Sequence, residues 1–146
     1  PVEMPIALLL PHPGAVTEVA LPPSAAAQVL MRRYWPGPLT IVLAAKPGLS
    51  PLLSKDGKIG VRVPGPSPAA DLVRAFGHPL TATSANRTGE PPLRSADELP
   101  PALAAGLGGA VHGVSPGGAP STVIDSTVSP MKILRPGVIE FDPAAL

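Results

Sequence analysis

The chain has 146 residues and a formal net charge of +1, with 14% charged and 45% hydrophobic side chains. That length suits a single domain with a real core, and so small a net charge excludes a strong global field for nucleic acid or membrane surfaces. Cysteine is absent, which excludes disulfides, thiol chemistry and thiolate metal sites and fits a reducing cytoplasm.

Proline and glycine number 23 and 15, a share close to that of low-complexity chains. Disordered chains, however, are rich in charge and poor in apolar groups, and mean hydropathy here is positive. The prolines and glycines are therefore read as punctuation in a compact, loop-rich fold. The apolar runs "IALLL" and "LTIVLAA" are too short to span a membrane, and the first residues carry no basic region ahead of an apolar one. A start at Pro1 is compatible with a cleaved initiator Met and equally with a chain missing its front.

In chain order, "IALLLP" (Ile6 to Pro11) reads as a buried strand stopped by a Pro-His-Pro-Gly turn. Ser24 is placed to cap a helix through Tyr34, since "AAAQVLMRRY" has high helix propensity and no breaker. After the Pro-Gly-Pro turn, a strand is expected from Leu39 to Ala45, and "KIGVRVPG" (Lys58 to Gly65) alternates as another. "PAADLVRAFG" predicts a short helix closed by Gly77. "HPLTATSAN" reads as a strand running into a polar loop.

Ser95 and Glu98 have capping-box spacing, which predicts a helix through Leu107. "AVHGV", "STVID", "MKILR" and "GVIEF" are four further strand candidates. No internal repeat of 20 to 50 residues is visible. Short strands with about three helices predict an α/β fold on a mixed, twisted sheet.

Three polar clusters lie at or beside strand ends: Arg62 in "VRVPG", Thr83, Ser84 and Asn86 in "TSAN", and Ser121 and Thr122 in "PSTVID" with Arg135 in "ILRPG". Guanidinium, hydroxyl and amide groups suit recognition of polyanions, because Arg presents a planar fork of donors that keeps its charge. In open α/β sheets ligands sit outside strand ends. Each cluster alone also reads blandly, "TSANRTGEPP" as a turn, "PSTV" as a strand start and Arg135 as a surface residue. His12, His78 and His112 are scattered without ligand spacing, so no metal site is expected from the side chains. Trp35 reads as a packing anchor. No phosphate-binding Gly-rich loop and no nucleophilic triad is found.

Taken in register, "RYWPGPLTIVL", "GVRVPG", "LTATSANRTGEPP", "GGAPSTVID" and "ILRPGVIE" resemble the YrdC-like family of threonylcarbamoyl-AMP synthases, over nearly the whole chain. The resemblance implies one YrdC-like α/β domain over residues 1–146, a twisted mixed sheet flanked by helices with a concave, positively charged ligand cleft. It implies condensation of threonine, bicarbonate and ATP to threonylcarbamoyl-AMP and pyrophosphate, with Mg²⁺ sharing the phosphate charge. The product goes to tRNA through a separate threonylcarbamoyl-transferase machinery, and the setting is cytoplasmic.

By the same resemblance Ser84, Asn86 and Arg135 belong to the ATP site, and Arg62, Ser121 and Thr122 hold threonine or its carbamate. No residue is assigned as a covalent catalyst. The family's front segment, a Thr-Asp-Thr-x-Tyr-Gly strand and a Lys-Gly-Arg motif, is not found here. Leu8, Leu9 and Leu10 stand where members often place a His. The expectation is an N-terminally truncated domain with little activity of its own. Two other readings are a non-catalytic RNA-binding module and the carbamoyl-adenylate-forming domain of a hydrogenase maturation protein.

Overall fold

The structure, a computed structural model, describes residues 6–85, 91, 93–115, 119–140 and 142. Its contacts group into two compact units, Pro1–Ala82 with Ala119–Leu146, and Thr83–Gly118.

The first unit contains a six-stranded sheet: β1 (Ala7–Leu9), β2 (Leu39–Ala44), β3 (Lys58–Arg62), β4 (Leu80–Ala82), β5 (Thr122–Asp125) and β6 (Lys132–Arg135), in the order β4-β1-β3-β2-β5-β6. Pairs β1·β3 and β2·β5 are parallel, and β1·β4, β2·β3 and β5·β6 are antiparallel. This is the mixed sheet of the expected α/β class. Between β1 and β2 come a 3-10 turn (Pro13–Ala15), α1 (Val16–Val19) and α2 (Ala25–Tyr34), and α3 (Pro68–Phe76) precedes β4.

Residues opposite one another in a ladder share a face, and successive residues alternate. Leu39, Ile41 and Leu43 of β2 therefore share a face with Ile59 and Val61 of β3, Leu8 of β1 and Ile124 of β5. All are almost completely buried, in one cluster with Val16, Val19, Ala27, Leu30, Met31 and Trp35. Helices α1 and α2 thus cover this face. Each such side chain contributes about 1.5–3 kcal/mol on burial, which outweighs the poor strand length of β1 and β4. Trp35 anchors the turn as expected: it is buried, and its Nε1 donates to the Leu39 carbonyl at 2.7 Å.

Local signals explain the helix ends. Ser24 Oγ accepts from the Ala27 amide at 3.2 Å, and Ser67 Oγ from the Ala70 amide at 3.2 Å. Gly77 closes α3 in the left-handed region, φ 78°. Removing the first cap, Ser24→Ala, is expected to cost about 1 kcal/mol, read as a drop of a few degrees in thermal midpoint.

Several expectations are corrected. Strand β3 stops at Arg62 instead of Gly65, because Pro64 has no N–H to continue a ladder. The helix expected from Ser95 to Leu107 is broken in the second unit. Ser95 caps only a 3-10 turn, Ala96–Glu98, and a four-residue α4, Pro101–Ala104, follows. Pro100 and Pro101 are the cause: Leu99 precedes a proline and is pushed to extended backbone, ψ 121°, and the Pro100 ring would strike the carbonyl four residues back. The reciprocal half of the expected capping box is displaced by one residue, Glu98 Oε2 accepting from the Arg94 amide at 3.1 Å.

"AVHGV" forms no strand, only an isolated bridge between Ser95 and Val114. "GVIEF" joins no ladder over its described residues. Its backbone is held instead by a side chain: Thr122 Oγ1 donates to the Ile139 carbonyl at 2.8 Å and accepts from the Ile139 amide at 3.0 Å.

Candidate functional site

The sheet face opposite the apolar core carries the polar groups. Arg62 ends β3 and Arg135 ends β6, whereas Thr40 lies near the start of β2 and Ser121 just before β5. The pairing directions bring these ends together, since β2 is antiparallel to β3 and parallel to β5, and β6 is antiparallel to β5. Residues up to 95 positions apart thus meet at one edge. Between the strands' polar ends the face is small. A Cβ built on Gly60 would sit 3.5 Å from the Thr40 methyl and 3.9 Å from the Ala7 Cβ.

Arg62 is half-buried, and its Nε donates to the Gly37 carbonyl at 2.9 Å. Gly37 in turn donates its amide to the Val63 carbonyl at 2.9 Å. A Cβ on Gly37 would collide with the Tyr34 carbonyl, so only glycine lets the "WPGP" turn pass close enough to hold Arg62. Arg135 grips Ser121: its Nε and Nη2 donate to the Ser121 carbonyl at 3.1 and 2.9 Å, and Nη2 donates to Ser121 Oγ at 2.9 Å. Ser121 Oγ lies 3.4 Å from Thr40 Oγ1.

The two guanidiniums feel one another. Burial pulls Arg62 below the ordinary arginine range, and the positive charge of Arg135 pulls it further; it remains ionised at physiological pH all the same. Ion pairs among the described residues join Lys58 to Asp125, Arg74 to Asp71, His78 to Glu18 and His112 to Asp97. None involves Arg62 or Arg135. Two guanidiniums on one face, with hydroxyls beside them, are chemically suited to hold an anion.

Thr122 is separate from this set. Its side chain is buried on the opposite face, with its hydroxyl committed to Ile139 as described above. It braces the strand that presents Ser121 and does not face the polar edge. Ser84 belongs to the second unit and is exposed. Asn86 lies outside the described residues.

Thr40, Gly37 and Gly137 are participants the sequence reading missed. Thr40 was visible as the one hydroxyl in "LTIVLA". Gly137 follows Arg135 and packs flat on the Ser121 backbone, where a Cβ would lie 2.6 Å from the Ser121 carbonyl carbon and against the Pro120 oxygen. Nothing in "RPG" tells which backbone passes it.

At the other end of the same face, Lys58 Nζ meets Asp125 Oδ2 at 2.9 Å. Asp125 Oδ1 accepts from the Thr127 amide at 2.9 Å and its hydroxyl at 2.6 Å. Burial alone would raise the Asp125 carboxyl, but the bonds from Lys58 and Thr127 outweigh it and hold it below the usual carboxylate range. A carboxyl depressed on folding contributes its stability fully above the unfolded value of about 3.9, and loses it as pH falls through the folded value. Thermal midpoints of the parent and Asp125→Asn are therefore expected to differ at pH 6 and to converge below pH 4. A constant difference across that window would remove the pair from the acid response.

Among the described residues no three His, Cys, Asp or Glu side chains gather as a metal cage. No described helix is long and apolar enough to cross a membrane.

A family model described as telomere recombination, for Sua5, YciO and YrdC, matches residues 1–137. The chain is 32% identical over 142 residues to the threonylcarbamoyl-AMP synthase of Bacillus subtilis, covering 95% of this chain and 41% of that protein. It is 39% identical over 117 residues to the synthase of Stenotrophomonas maltophilia, covering 80% and 62%. Among solved structures, P. abyssi Sua5 complexed with L-threonine superposes with a TM-score of 0.78 at 30% identity, over 94% of this chain and 41% of that one. E. coli YciO superposes with 0.74 at 26% identity, over 98% and 70%. The chain therefore spans from about two-fifths to under two-thirds of these curated relatives' length. Sequence and fold agree over both units, and this chain belongs to the Sua5/YciO/YrdC family.

Proposed function

We propose that this chain provides the anion-binding face of a threonylcarbamoyl-AMP synthase, a nucleotidyltransferase acting on threonine, bicarbonate and ATP. The observation that carries the reading is that strand pairing sets Arg62 and Arg135 on one face of the sheet, beside the Ser121 and Thr40 hydroxyls, with neither guanidinium in an ion pair among the described residues. Curated relatives bear the synthase name, and P. abyssi Sua5 was solved with L-threonine.

On this reading the threonine amine forms a bond to the carbon of carbon dioxide supplied by bicarbonate and gives up a proton, leaving a carbamate and, from the hydroxide of bicarbonate, one water. A carbamate oxygen then forms a bond to the α-phosphorus of ATP as the bond to pyrophosphate breaks. Such transfer needs alignment and charge neutralisation more than a covalent nucleophile. Arg62, tethered at Gly37, takes the threonine carboxylate or the carbamate, with Ser121 as hydroxyl partner. Arg135 serves the nucleotide phosphates, the ligand to which the family resemblance also assigns Ser84 and Asn86. Because Arg135 also grips Ser121, the two ligands would meet at that contact. The described side chains do not make a Mg²⁺ cage, so Mg²⁺ belongs here to the phosphates that ATP brings, and no step is assigned to it. The downstream partner is the machinery that transfers the threonylcarbamoyl group to tRNA.

The test is pyrophosphate release by the protein as naturally produced, with ATP, threonine, bicarbonate and Mg²⁺. Release that requires threonine and bicarbonate together is expected. Release indifferent to threonine would overturn the proposal.

A further inference from the structure

A concavity lies on the helix-covered side of the sheet. It measures about 380 Å³ and is lined by Pro13, Gly14 and Val16 of the first turn, Pro23, and Gln28, Met31, Arg32 and Trp35 of α2 and its end. That volume is in the range of small-molecule sites, which pair an apolar lining with a few placed polar groups. The floor is rigid. Trp35 and Met31 are buried in the core cluster, and the indole is pinned by its bond to the Leu39 carbonyl. Gln28, itself exposed, donates its Nε2 to the Pro23 carbonyl at 3.1 Å.

Arg32 is the charged group of the lining, and no ion pair among the described residues uses it. Its neighbour Arg33 stacks over Tyr34, 5.3 Å from the ring centre. The one acid of α1, Glu18, lies 3.5 Å from His78 Nδ1. An apolar cup with a cation at its lip favours a ligand of matching shape: an apolar body for Trp35, Met31 and Val16, and one carboxylate for Arg32.

We propose that this pocket is a binding site for a small monocarboxylic acid with an aromatic or branched apolar body. The site uses none of Arg62, Ser121 and Arg135, whose positions on the sheet belong to the face opposite the helix-covered core.

Trp35 is the chain's one tryptophan, so its fluorescence reports the pocket directly. The probe is 3-phenylpropionate, with 3-phenylpropanamide as the neutral control. A saturable change in Trp35 emission is expected with the acid, and binding about tenfold weaker or more for the amide and for Arg32→Gln with the acid. Arg32 is exposed on the last turn of α2, and an unchanged circular dichroism spectrum establishes that the variant is folded. A second variant, Met31→Phe, fills the cup without adding a tryptophan and should abolish binding of both probes. No saturable signal from the parent overturns the site. Equal binding of acid and amide, or no loss with Arg32→Gln, overturns the carboxylate specificity and with it the proposal.

Discussion

Arg62→Ala is expected to weaken threonine binding by roughly ten- to a hundredfold while changing ATP affinity less, and Arg135→Ala is expected to do the reverse. The magnitude is that of one lost charge-assisted hydrogen bond, about 1.5–3 kcal/mol. The asymmetry rests on the proposed division of ligands between the two separately tethered side chains. Arg62 is held from the β3 side by the Gly37 carbonyl, and Arg135 from the β6 side by Ser121. Each cation also attracts an anion held in the neighbouring subsite, so either variant should weaken the other ligand as well, to a smaller degree. Arg62→Lys should recover little, since Lys lacks the planar fork. Titration calorimetry of both variants with each ligand decides the matter. Equal losses for both ligands in both variants would end the division of roles, while leaving the shared anion site in place.

Gly137→Val is expected to be the most damaging substitution near the site that removes no functional group. Its Cβ would meet the Pro120 oxygen, the Thr122 amide nitrogen and the Ser121 carbonyl carbon at once, all of them backbone. Backbone cannot rotate aside as a flexible side chain would, so relief requires separating residues 136–139 from the start of β5. That separation stretches the Val138 amide to Pro120 carbonyl bond, 3.1 Å, and the Thr122 clamp on Ile139. Overpacking of this kind costs about 1–3 kcal/mol or more. The damage should appear twice, as a lower thermal midpoint and as weaker ATP binding, because Arg135 loses the Ser121 carbonyl that aims it. Gly137→Ala should show the same signs to a smaller degree. A Gly137→Val protein with the parent's melting midpoint and ATP affinity would show that this segment does not hold the site.

Periodicity and capping carried much of the fold. "LTIVLA" and "KIGVR" became β2 and β3, and Ser24 and Gly77 took their capping positions, because these signals act within four residues of the chain. The failures share a cause. Ser95 and Glu98 have the right spacing for a capping box, yet two prolines five and six residues on from Ser95 outrank it. "GVIEF" looks like a strand, but sheet pairing is decided by what lies beside it, and there the Thr122 side chain has taken the backbone partners that a ladder would need.

By itself the sequence determined which residue types are present, where the chain turns, and which family pattern it carries from "WPGP" to "RPG". It separated Arg62, Ser121 and Arg135 from the bland background as candidates. Tertiary structure alone decided that Arg62 and Arg135 share an edge, that Thr122 points into the core while its neighbour Ser121 points to the polar face, and that Gly37 and Gly137 are the close approaches holding them. The reason is that a strand's local pattern gives only alternation. Which face is buried, and which strand ends coincide, follow from the order β4-β1-β3-β2-β5-β6 and its pairing directions, which are contacts between residues far apart in the chain.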